Sequence, residues 1–261
     1  MRRAICLTVL VALASLVTAA TAAAAPKVTL KAEAVPIKGF PRTGNFLGAG
    51  AAVKAEYTIS GTEYGGFPPP LIGVTFYLPS GVKLHTKGFP TCPPSTLEPS
   101  GRGPGACPHG SAAGPVGKVL GIVSFGNERV TEEATLQSFY APGGGLLFFT
   151  AGHSPVSLEI LSRAHYVNLG GGGGFGPKLI AEVPLVETVP GAPDASVLRI
   201  SVKVGSAMRR HGKTIYYGTL PKKCPKHFLL GKSELTFAGL GGLTQTTVTV
   251  PYKAKCPRKL R

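Results

Sequence analysis

The chain has 261 residues, of which 28 are Lys or Arg and 12 are Asp or Glu, giving a formal net charge of +16. Hydrophobic residues make up 43%. That is enough for a core and excludes a disordered chain, although Gly and Pro number 36 and 24. The acidic residues include one Asp and are dispersed, which argues against a dedicated calcium cage.

The N-terminus sets the expected compartment. Met1-Arg2-Arg3 is a short positive region, Ala4 to Thr21 is apolar or small throughout, and Ala22 to Ala25 offer an A-x-A type cleavage site before Pro26. This order is that of a secretory signal peptide, residues 1–25, removed to leave an exported chain of residues 26–261. The apolar run is Ala-rich and short for a membrane span.

Beyond it, apolar and polar residues alternate with period two in short stretches. Val53-Lys54-Ala55-Glu56-Tyr57-Thr58-Ile59 is one; Val74 to Leu78, Val156 to Ile160 and Leu198 to Val204 are others. Alternation places one strand face in a core and the other in water. Further strands are expected near 28–35, 118–125, 129–139, 146–151, 178–186, 213–219, 232–238 and 246–253. Pro79-Ser80-Gly81, Pro142 to Gly145 and Pro190 to Pro193 supply turn chemistry between them. No long window has helical periodicity outside the signal segment. The expected fold is all-β, an antiparallel β-sandwich of about a dozen strands. It is either one continuous unit or two packed sub-sandwiches dividing near 141–145.

The longest irregular segment, 89–115, carries seven Pro together with Cys92 and Cys107. A loop of that length in a compact domain is expected to be functional or stapled. With Cys6 lost in the signal segment, Cys92, Cys107, Cys224 and Cys256 remain, and three pairings are open. Proximity in sequence favours Cys92–Cys107 and Cys224–Cys256. The close Cys pairs of a structural zinc site are missing, so no metal is expected.

Several segments carry a resemblance. They are Leu78-Pro79-Ser80-Gly81-Val82, Gly88-Phe89-Pro90-Thr91-Cys92, Ala106-Cys107-Pro108-His109-Gly110-Ser111, Val189 to Ser196, and Tyr217 to Pro225. In this order they resemble a family of secreted proteins from high-GC actinobacteria to which no activity is assigned. The resemblance implies export and a β-rich fold, and no catalytic residue.

Other constellations point away from catalysis. Gly152-His153-Ser154-Pro155-Val156 begins like a nucleophile elbow, but Val156 replaces the second Gly and Pro155 lacks the amide needed for an oxyanion hole. Asp194 stands in a Pro/Gly turn. The carboxylates Glu128, Glu132, Glu133, Glu159, Glu182 and Glu187 fall mostly at outward strand positions, and neighbours 132 and 133 face opposite ways. The six His are scattered; His153 and His165 could face each other across a hairpin, but surface histidines are the expected reading. The glycine run 170–174 lacks the following helix of a phosphate loop, and no cofactor is expected.

Charge is uneven. Residues 26–198 carry 12 Lys/Arg and 11 acidic residues, whereas residues 199–261 carry 14 Lys/Arg and only Glu234. A Cys224–Cys256 bridge would gather Lys222, Lys223 and Lys226 beside Lys253, Lys255, Arg258, Lys259 and Arg261, with Met208 to Lys213 as a further basic loop. Converged cations suit a polyanion of the cell envelope or an anionic membrane surface. Nucleic acid is not expected, because the compartment is wrong and few aromatics lie among the basic residues. The sequence reads as a non-enzymatic extracytoplasmic binding or structural protein, associated with the envelope through its basic C-terminal third. The alternatives are a secreted hydrolase whose site is not visible in sequence order and an adhesion module acting through its sheet faces.

Overall fold

Alternation builds the strands. In the computed structural model, residues 25–40, 47–169, 174–224 and 228–256 are described. Residues 1–24 of the expected signal segment, most of the glycine run, and Lys226, Arg258, Lys259 and Arg261 lie outside them. The long strands are β1 (Lys27–Val35), β2 (Ala52–Ser60), β3 (Leu71–Pro79), β5 (Gly117–Phe125), β6 (Glu128–Tyr140), β7 (Leu146–Gly152), β8 (Leu158–Val167), β9 (Phe175–Glu182), β10 (Ser196–Val204), β14 (Phe228–Phe237) and β15 (Thr246–Lys255). Short strands β4 (Lys83–Leu84), β11 (Ala207–Arg210), β12 (Lys213–Tyr216) and β13 (Gly218–Thr219) fall between them. Each of the dozen expected segments overlaps a strand. The single α-helical turn among the described residues, Pro94–Leu97, lies in the stapled loop.

The eleven long strands form one sheet in the order β1-β2-β10-β5-β6-β7-β8-β9-β3-β14-β15, antiparallel at every step. Opposed faces therefore belong to one curled sheet, where two separate packed sheets were expected. Residues 141–145 are the tight turn joining β6 to β7, and the ladder runs straight through it. The alternation is the same for either arrangement, because it reports an inner and an outer face and not which edges meet.

The sheet closes almost into a barrel. With an odd number of antiparallel strands the two edges run in the same direction. Here β1 and β15 lie within 8 Å of each other along the seam without a hydrogen-bonded ladder. An antiparallel partner would complete the barrel; a parallel one gives a poorer ladder.

The connections divide unequally between the two ends. At the upper end, where β1, β3, β6, β8, β10 and β15 finish, lie the long segments 36–51, 80–116 and 205–227, together with both disulfides. The lower end carries shorter links at 61–70, 126–127, 153–157, 183–195 and 238–245.

Inward positions follow the pattern read from sequence. Ala55, Tyr57 and Ile59 of β2 and Phe76 and Leu78 of β3 meet Leu235 and Phe237 of β14 and Tyr252 of β15. One stretch breaks the rule. Phe139, Leu147 and Phe149 point outward yet are buried, because Cys92 and Leu97 of the 89–115 loop pack over them. The Cys92–Cys107 bridge holds that loop in place, as its Pro content and Cys spacing suggested.

At the lower end Arg129 ties three segments together. Its guanidinium stacks over Tyr64 and Phe67, at 5.3 and 4.8 Å from the ring centroids. It donates to Tyr64 O, Asp194 O and Ser196 Oγ. Burial depresses its pKa, against the pull of Tyr64.

Candidate ligand cavity

Small barrels of about eight strands fill with their own side chains, and interior width grows with strand number. Eleven strands therefore leave space unless something occupies it, and no helix among the described residues threads this barrel. The interior positions are also modest in volume: Ala32, Ala55, Ala181 and Ala254 line it with Val53, Val74 and Val202. A cavity of about 240 Å³ remains, bounded almost wholly by apolar side chains.

The hollow is visible residue by residue. Val53, Val74, Phe148, Ile160, Tyr166, Leu179, Ile200 and Val202 face inward yet keep accessible surface, because their inner ends border empty space. At about 24 cal/mol per Å³, leaving such a volume empty forgoes about 6 kcal/mol. That is comparable with the whole stability of many domains.

Several polar groups inside the barrel are hydrogen-bonded. Tyr252 Oη donates to Tyr77 O at 2.9 Å, and its ring stacks on Phe76 with centroids 5.0 Å apart. The ring lies across Gly231, its strand partner, where a Cβ would overlap it. Glycine is thus needed there for space.

The upper end is closed by an aromatic group and a thin lid. Tyr140 and Tyr217 have centroids 4.4 Å apart, and Phe89 lies 4.9 and 5.5 Å from them. Tyr140 and Ser206 share a 2.7 Å hydroxyl hydrogen bond. Burial pushes the Tyr217 phenol up to about 12, while the neighbouring Tyr166 pulls the other way. Among the described residues, the buried Tyr217 hydroxyl finds no acceptor for its own proton. Burial first, and Tyr217 second, hold Tyr166 well above the usual phenol range. Above them β4 pairs with β13 through only two residue pairs, and His85 donates its amide to Tyr217 O.

Outside this lid is a second hollow of about 510 Å³, with a mixed polar and apolar lining. His85, Thr86 and Lys83 border it from one side, His165 and Asn168 from another, and the turn Gly143 to Gly145 from a third. Val82, Leu84 and Tyr166 border both hollows. Sequence reasoning did not join His85 to His165, because eighty residues and the strands β5 to β7 separate them along the chain.

The basic residues occupy the same end. The Cys224–Cys256 bridge links the segment before β14 to the end of β15. Lys222, Lys223, Lys253 and Lys255 are all exposed near it. On the outer face, register pairs Lys255 with Phe228 and Lys253 with Leu230. Phe228 and Leu230 are 39% and 52% exposed, which leaves apolar side chains among the cations. Arg209, Arg210 and Lys213 stand exposed on the β11–β12 hairpin of the upper connection. Two other C-terminal cations are engaged elsewhere: Lys203 donates to Pro36 O, and Lys232 pairs with Glu234 at 2.7 Å.

The remaining candidates scatter. Glu128, Glu133, Glu159, Glu182 and Glu187 are exposed. Glu132 is 2% exposed and points inward at the lower end, where its carboxylate accepts from the amides of Ser154 and Val156 at 3.3 and 3.2 Å. It thus anchors the β7–β8 turn, and its inward parity with Ala134 and Leu136 was the available signal. His153 and His165 do not face each other: one lies in that lower turn, the other near the upper end of β8. Among the described residues no group of three metal-ligating side chains converges.

Comparison with protein families, curated proteins and solved structures gives no match. The two disulfides indicate an oxidising, extracytoplasmic environment. No helix among the described residues is long and apolar enough to cross a membrane.

Proposed function

We propose that this chain is a non-enzymatic binding protein of the cell exterior that carries an apolar small molecule inside its barrel. The observation that carries this reading is the cavity of about 240 Å³, bounded by Ala, Val, Leu, Ile and aromatic side chains. An apolar cavity of about 150 Å³ stays dry and takes up benzene. This larger one suits the hydrocarbon portion of a lipid. Binding would recover the packing that the empty interior forgoes. A saturable titration with the apolar fluorophore N-phenylnaphthylamine tests the reading. One-to-one enhancement, abolished by competing hydrocarbon, is the expected result, and its absence would refute uptake.

A second element of the reading concerns placement. Lys222, Lys223, Lys253 and Lys255 around exposed Phe228 and Leu230 support attachment of the upper end to an anionic envelope surface. Cations supply the long-range attraction, and partly exposed apolar side chains supply short-range insertion. Vesicles containing anionic phospholipid should sediment with the protein at low salt and release it as salt rises. Charge reversal at Lys222 and Lys223 should weaken that association. Retention insensitive to salt would refute the electrostatic attachment.

A further inference from the structure

The barrel cavity and the hollow above it share a wall one side chain thick, made by Val82, Leu84 and Tyr166. One compartment is apolar; the other is bordered by Lys83, His85, Thr86, His165 and Asn168. Among the described residues no Asp or Glu borders the second compartment, so its charge balance favours an anion. The glycines of its third side are needed for that shape. A Cβ at Gly145 would overlap Ala164 O, and one at Gly144, whose φ is +96°, would lie 3.0 Å from Thr86 Oγ1. The turn can therefore lie close against Thr86 and leave the hollow open.

Resting on the cavity reading, we infer that the ligand is a single-chain amphiphile, with its hydrocarbon tail in the barrel and an anionic oxygen head in the compartment bordered by Lys83, His85 and His165. The tail passes between Leu84 and Tyr166. The partition is suited to moving aside, because β4 is held to β13 by two residue pairs only; so short a ladder is the kind of element that opens locally. Displacing Tyr166 also uncovers the buried Tyr217 hydroxyl, which lacks an acceptor. A head oxygen arriving there would satisfy that donor, while Lys83 and the two imidazoles face the charge.

The test is displacement of N-phenylnaphthylamine by three sixteen-carbon ligands, each below its critical micelle concentration: palmitate, hexadecyl phosphate and hexadecanol. At least one of the two anions should outcompete hexadecanol by about ten-fold or more, the discrimination expected of charge-assisted hydrogen bonds. Preference for palmitate identifies a carboxylate head and preference for hexadecyl phosphate a phosphate head. The triple variant Lys83→Gln, His85→Gln, His165→Gln changes only exposed side chains. It should lose the anion preference and keep its affinity for hexadecanol. If all three ligands displace equally from the wild-type protein, the head-group site is overturned while the cavity reading stands. If the fluorophore itself never binds saturably, the cavity reading fails and takes this inference with it.

Discussion

Tyr57 Oη and Ser233 Oγ lie 3.0 Å apart inside the barrel and join β2 to β14 across the seam that β1 and β15 leave unladdered. Ser233 has one hydroxyl proton, and it is donated to Thr75 O at 3.1 Å. Tyr57 is therefore the donor in the bridging bond. Both residues are buried, at 4% and 0% exposure. The two truncations should then differ. Ser233→Ala leaves the phenol of Tyr57 buried without an acceptor and should cost about 1–3 kcal/mol. Tyr57→Phe removes the donor and leaves Ser233 bonded to Thr75, for about 1 kcal/mol. In the double variant the second change should add little to Ser233→Ala. Equilibrium denaturation of the three proteins measures this; independent, additive losses would mean that the bond does not carry the seam.

Alkali should unfold the barrel cooperatively. Burial raises the phenols of Tyr57, Tyr140, Tyr166, Tyr217 and Tyr252, in each case as the largest cause. A phenol that keeps its proton longer when folded contributes nothing pH-dependent below its unfolded value of about 10. Above that, the unfolded chain loses the proton first, so stability falls as pH rises toward the folded value. For Tyr217, pushed up to about 12, the window runs from about 10 to 12 and the loss approaches 2–3 kcal/mol. The phenolate absorbance of these five tyrosines and β-sheet circular dichroism, followed together, should change in one transition. Phenolate appearing gradually with the sheet intact would show these hydroxyls to be accessible.

The two disulfides should contribute comparably, and their loss should have different local consequences. They span 15 and 32 residues. Loop-closure entropy assigns about 3 kcal/mol to the shorter and nearly 4 kcal/mol to the longer, roughly. Replacing Cys92 and Cys107 by Ser should also release the loop from Phe139, Leu147 and Phe149, which it covers. Binding of an apolar dye to this outer face, with the sheet retained, is the expected signature. Replacing Cys224 and Cys256 should free the basic segment before β14 and weaken vesicle attachment without exposing that face. Identical dye binding by both variants would contradict this division.

Much of the strand pattern was legible because burial imposes a period of two, and each alternating segment kept its inward face. The order of the strands was not. In the final sheet β10 lies between β2 and β5, and β3 between β9 and β14, pairings that no local turn specifies. Whether the sheet folds into two layers or curls into one barrel depends on those pairings. The pairing of the cysteines was legible, since proximity in sequence matched proximity in space. The cavity was not, for a physical reason: an inward Val beside a void and an inward Val in a packed core look the same in a sequence. The 89–115 loop was legible as a stapled segment but not as a cover: outward Phe139 and Phe149 interrupt the alternation of their strands, a signal that went unread.

The void itself offers the sharpest separation of stability from function. Val202 on β10 stands opposite Ala55 on β2, and both border the cavity. A Phe at position 202 would extend into space that Ala55 leaves free. If the interior is empty when ligand is absent, added apolar surface gains contacts there and forces none aside. Val202→Phe should then leave stability unchanged or raise it by roughly 1 kcal/mol, the scale of cavity-filling substitutions. In a filled core the same change overpacks and costs about 1–3 kcal/mol. Uptake of N-phenylnaphthylamine should meanwhile fall by about ten-fold or more, because ring and ligand compete for one volume. Denaturant melts and fluorophore titrations on the same preparation read both quantities. A destabilised variant with undiminished uptake would place the fluorophore elsewhere; a stabilised variant that no longer binds would mean that the barrel gives up packing energy to keep room for its ligand.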